Sequence, residues 1–122
     1  MASENLHENP ETLGGEIIDQ HRAVVSIMEE LEAVDWYNQR AKATIDDELR
    51  AILEHNRDEE KEHMAMVLEW LRRHDPKLDE NLRKYLFNEK PPLEVEEAAS
   101  AGADAEDTGS LNIGDLRVEV KK

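Results

Sequence analysis

No cysteine occurs in the 122 residues, which excludes disulfide staples, thiolate metal sites and cysteine nucleophiles. Basic residues are scarce as well: 15 Lys and Arg stand against 30 Asp and Glu, a formal net charge of −15. Coulomb repulsion at that charge argues against DNA, RNA or an anionic membrane surface as partner and favours small cations. Also missing is any apolar run near the roughly 20 residues a membrane helix needs. The opening MASENLHENPETLGGE lacks the basic and apolar regions of a secretory signal. Together these absences predict one small, soluble, cytoplasmic domain with no nucleic-acid or membrane partner.

What is present is helical. Residues 1–12 read as a mobile N-terminal arm, with a helix starting between Glu11 and Gly15. From Glu16 to Lys42 there is neither proline nor glycine, and apolar groups recur at three-and-four spacing through Ala23, Ile27 and Val34. Thr44 or Asp46 is placed to cap a second long helix running from 47 to about 74, which Asp75-Pro76 ends. A short third helix is expected over Lys77 to Phe87. After Lys90-Pro91-Pro92 the chain turns acidic and alanine-rich with little to bury, so residues 89–110 read as a disordered linker. The last stretch, 111–122, regains aliphatics at Leu111, Ile113, Leu116 and Val118 and reads as a detached docking peptide.

The fold expected for residues 13–88 is therefore all-α, an antiparallel two-helix hairpin plus a short third helix. Two helices leave part of each apolar stripe in water, so such a hairpin must self-associate.

Three ionisable side chains interrupt the seam. On the second helix, steps of four and three align Leu49, Leu53, Asn56, Glu60, His63, Val67, Trp70 and His74. The same stepping on the first helix aligns Ala23, Ile27, Glu30, Val34, Tyr37 and Ala41. Ionised carboxylates buried without compensation cost several kcal/mol each, so Glu30, Glu60 and His63 need mutual pairing, a half-wet seam or a cation. An isolated Glu-x-x-His is weak, since Glu4 and His7 form another in the N-terminal arm. Glu60 and His63 differ in sharing one face of a long helix, with Glu30 on a neighbouring helix. Carboxylate-bridged di-iron bundles use one Glu from each of two helices and a Glu-x-x-His from each of the other two. One hairpin holds half of that set, and a twofold dimer would complete both a ferritin-like four-helix bundle and six ligands around two metals. Oxygen-rich ligation with one imidazole per metal suits Fe(II) or Mn(II).

The stretches HRAVVSIMEELEAVDWYNQR and HNRDEEKEHMAMVLEWLRR resemble the encapsulated ferritins of bacteria and archaea over roughly residues 13 to 88. The resemblance implies a ferroxidase, oxidising Fe(II) to Fe(III) at a di-iron centre built across a dimer interface. It further implies an annular decamer held inside an encapsulin nanocompartment, where the iron is mineralised. By motif, the ligands fall on Glu30 in MEELEAVDWY and on Glu60 and His63 in EEKEH. The resemblance also places a site through which metal enters at Glu29 and Glu32, beside Trp36, holding Ca(II) or another divalent cation. From position alone, Glu29 and Glu32 form an ordinary acidic face. Tyr37 matches a family tyrosine beside the metals, and it also lies on the core stripe. LNIGDLRVEV resembles the peptide that docks cargo on the shell's inner wall, departing from the commonest form in Asp115 and in the extension from Val118 to Lys122.

His21 and His55 are assigned to structure or surface, because a haemerythrin-like centre needs more imidazoles at other spacings. Trp70, Met64 and Met66 are expected to pack rather than touch a cofactor, and His74 to complement the end of its helix. Two alternatives to a ferroxidase remain. One is a non-catalytic helical adaptor whose metals only staple subunits together; the other, a rubrerythrin-like peroxidase, is disfavoured without cysteines for a rubredoxin module.

Overall fold

The computed structural model describes residues 5–109, with side chains through Gly102. All secondary structure among the described residues is helical, in the order α1 (Pro10–Ala43), α2 (Asp47–Arg73), α3 (Pro76–Tyr85) and α4 (Pro92–Gly109). No described helix is long and apolar enough to cross a membrane.

Local chemistry accounts for each boundary. Pro10 opens α1 where a missing N–H costs nothing, and the Glu11 amide donates to Asn9 Oδ1 at 2.9 Å. The first turn is offset from the rest by Gly14, whose φ of 82° and ψ of 166° only glycine adopts cheaply. Coiling thus begins at Pro10, inside the stretch expected to be an arm. Between the long helices, Asp46 is the cap: its Oδ1 accepts from the Leu49 amide at 2.8 Å, while Thr44 Oγ1 accepts from the Asp46 amide at 3.1 Å. Arg50 locks this turn from α2, donating to the carbonyls of Ala41 and Thr44. The second helix ends at Arg73, capped by His74 ahead of Asp75-Pro76, as proline requires.

The chain divides into two compact units between Asp75 and Pro76. In the first, α1 and α2 pack along their length as an antiparallel hairpin. Among the described residues, Ala23, Ala41 and Leu71 are its buried ones, and no large side chain is fully enclosed. Ile17, Val24, Met28 and Leu31 on α1, with Leu49, Ile52, Met66 and Trp70 on α2, remain exposed. Met66 is 59% exposed, so the expectation that it packs is not met within one protomer; Met64 is half-buried.

In the second unit α3 contacts α4. The expected linker 89–110 is corrected in part here, because residues 92–109 form a helix. Pro92 presets the first turn, Glu94 sits favourably at the positive end of the dipole, and Ala98, Ala99 and Ala101 lose no side-chain entropy on coiling. Scarce burial does not preclude structure here: α4 forms on propensity, with Val95 buried. The expected docking peptide, 111–122, lies outside the described residues.

Candidate metal centre

Glu30 comes from the middle of α1, and Glu60 and His63 from successive turns of α2. The hairpin brings them together: one ligand atom from each lies within 4.8 Å of the others. His63 Nδ1 stands 3.5 Å from Glu60 Oε1 and 3.8 Å from Glu30 Oε1. The two carboxylates are about three-quarters covered, at 24% and 26% exposure, while His63 is 45% exposed. The cluster therefore sits at a partly open edge of the hairpin.

Its electrostatics are those of a site short of positive charge. A hydrogen bond with Glu60 is the largest influence on Glu30 and raises its pKa, and desolvation and the Glu60 charge push the same way. His63 pulls the value down and Glu29 adds to the repulsion. Protonation of Glu30 is thereby favoured beyond its ordinary range, and a cation would relieve the same crowding of negative charge. Bonds of about 2.1 Å from one ion to oxygen and nitrogen ligands put those ligands about 3 to 4.2 Å apart. The observed 3.5 and 3.8 Å lie in that range, so the donor set fits a divalent cation with small side-chain adjustments.

The remaining candidates are distributed differently. Glu29, Glu32 and Trp36 are exposed on α1, and among the described residues neither glutamate joins a group that could hold a metal. The Arg40 guanidinium lies over both aromatic rings of this region, 5.8 Å from the Trp36 centroid and 5.7 Å from that of Tyr37. Tyr37 is half-buried on the same helix as Glu30. His55 is on the surface, paired with Glu59 at 3.4 Å. His74 caps α2, stacks on Trp70 at 3.9 Å and places Nδ1 2.7 Å from the Trp70 carbonyl oxygen.

One contact escaped sequence reasoning. Arg57 Nη1 donates to Asn38 Oδ1 at 3.0 Å across the hairpin, and spacing along either helix alone carries no signal for a pair between them. These two residues line a groove of about 580 Å³ with Ala41, Lys42, Arg50 and Glu54. Its guanidinium groups are engaged: Arg50 with the turn and Asp47, Arg57 with Asn38 and Asp58. The groove belongs to the scaffold of the hairpin.

Comparison with known proteins agrees with this architecture. The EncFtn-like family model matches residues 5–89. An encapsulated ferritin-like protein of Rhodospirillum rubrum is 55% identical, over 98% of this chain and 92% of that protein. A ferritin-like protein of Thermotoga maritima is 52% identical over 95% and 96%. The encapsulin nanocompartment cargo protein EncC of Myxococcus xanthus is 34% identical over 76% and 80%. A crystal structure of a Nitrosomonas europaea protein superposes with a TM-score of 0.69 at 59% identity, covering 71% of this chain and 96% of that one. With a matching family model, relatives similar along nearly the whole chain and the same helical hairpin, the chain belongs to the EncFtn-like family.

Proposed function

We propose that the protein is a ferroxidase whose active centre forms between two copies of the hairpin, and that it works as cargo inside an encapsulin compartment in the cytoplasm. The observation that carries this reading is the convergence of Glu30, Glu60 and His63 at an open edge. Three ligands are half of what two iron ions need, and a twofold axis beside the cluster doubles them. The apolar rows left exposed on α1 and α2 supply surface for that pairing and for the further contacts of an annular decamer.

Iron is the substrate. Fe(II) neutralises the facing Glu30 and Glu60 carboxylates, which bind the oxidised ion more strongly than the reduced one, and this favours loss of an electron. Two Fe(II) give one electron each to dioxygen, which takes up two protons and leaves as hydrogen peroxide; the Fe(III) passes on to mineral. Glu29 and Glu32, beside Trp36, gather divalent cations such as Ca(II) or incoming Fe(II) on the exposed face of α1. Tyr37 orders the surroundings of the centre from the same helix. The segment 111–122 docks on the encapsulin wall.

The test is anaerobic loading with Fe(II) followed by exposure to oxygen, with Fe(III) followed by absorbance. Continued oxidation beyond two irons per dimer is expected; a halt at that number favours an adaptor stapled by metal. Glu30→Ala, Glu60→Ala and His63→Ala each remove two ligands from one centre and are expected to abolish most of the oxidation. A variant that keeps the parental rate removes its residue from the ligand set.

A further inference from the structure

We infer that Asn38 and Arg57 are positioning residues, holding α2 in the axial register that brings Glu30, Glu60 and His63 together, an inference that rests on the metal-binding reading of that cluster. Helix register is ordinarily fixed by large side chains locked into the surface of the neighbouring helix. Among the described residues of the hairpin, Ala23, Ala41 and Leu71 alone are buried, and no large side chain is fully enclosed. Alanines let the helices approach but give little resistance to sliding. A slip of one residue moves α2 by about 1.5 Å along its axis, whereas a metal site tolerates only about 0.2 Å in its bond lengths.

Half-buried Ile27, Val34, Leu53 and Val67 pack along the seam, and polar cross-links add resistance of their own. Two reach main-chain oxygens near the ends of the hairpin: Arg50 holds the carbonyls of Ala41 and Thr44, and Gln20 Nε2 donates to the His74 carbonyl at 2.9 Å. The third lies closest to the ligands. Arg57 stands one turn before Glu60, and its Nη1 donates to Asn38 Oδ1 at 3.0 Å while its Nε donates to Asp58 Oδ1 at 3.0 Å. With its planar fork engaged on both sides and 22% exposed, the guanidinium is held in one geometry. Asn38 faces Arg57 and Glu30 faces Glu60 and His63 in a single antiparallel alignment, so the cross-link and the ligand cluster share one register.

Co(II) binding to the full chain tests this without turnover, because its visible bands report ligand geometry. Asn38→Leu removes the acceptor and is expected to weaken Co(II) binding about tenfold or more and to alter the bands. Asn38→Asp keeps an acceptor and is expected to retain parental affinity. Gln20→Leu removes the distant cross-link and serves as the control: it is expected to lower the thermal midpoint and leave the bands unchanged. Should Asn38→Leu fail to fold, Arg57→Lys, which cannot engage Asn38 and Asp58 with one planar fork, is expected to show the same weakening. Parental affinity and bands in whichever of these two variants folds would overturn the positioning role, as would an effect in Gln20→Leu of equal size. If the parental protein bound no Co(II), or if Glu60→Gln left its binding unchanged, the metal reading would fall and the positioning role with it.

Discussion

Glu30 and Glu60 are two acids facing each other across a helix pair, each within 3.8 Å of the His63 imidazole. Because the folded chain raises the pKa of Glu30, the proton it holds stabilises the apo hairpin at low pH. That contribution is complete below the ordinary glutamate range and disappears as pH rises through the raised value. Metal affinity runs the other way, since a cation must replace the proton and binds better as the pH climbs. Glu30→Gln removes the charge and keeps a hydrogen-bonding group. Thermal melts of the apo protein are expected to show this variant at least as stable as the parent at pH 7, with the difference vanishing toward pH 4, while its Fe(II) binding is lost. A lower melting point at pH 7 would contradict the repulsion. The ligands were legible in the sequence because two of them lie three residues apart on one helix and the third follows the apolar rhythm of its partner. Asn38 and Arg57 were not legible, because their meaning depends on how far one helix is displaced along the other.

The long helices owe their ends to single side chains. Asp46 satisfies an amide that the first turn of α2 would otherwise leave unpaired, so Asp46→Ala is expected to cost about 1 kcal/mol in chemical denaturation. Asp46→Asn should restore most of it, and no loss in the alanine variant would mean that Arg50 alone sets the turn. These boundaries could be read in advance, since Thr44, Asp46 and Pro76 act over one or two residues. The fate of 92–109 could not be read from burial alone: acidic, alanine-rich composition signals a chain with nothing to pack, and the same alanines lower the cost of coiling. Phe87 is a further local surprise, fully exposed with a left-handed φ of 58° just past the end of α3, a backbone position where glycine is the usual occupant.

At the scale of the whole protein, charge decides when copies can meet. Bringing a second Glu30 and Glu60 to the first pair multiplies like charge until a cation neutralises it. Native mass spectrometry without oxygen is therefore expected to shift toward larger oligomers on adding Fe(II), and an unchanged distribution would count against a shared centre. Deleting 111–122 is expected to eliminate loading into a co-expressed encapsulin and to leave Fe(II) oxidation intact; truncated protein found in shells at parental occupancy would refute the docking role. The helix α4 gives that arrangement a mechanical character. Eighteen helical residues make a rod about 27 Å long, whereas a flexible coil of equal length averages about 23 Å end to end with wide scatter. Whatever follows Gly109 is thus carried on a short strut, presented at a set reach from Pro92, and several struts on one assembly would surrender less freedom on capture than several loose threads.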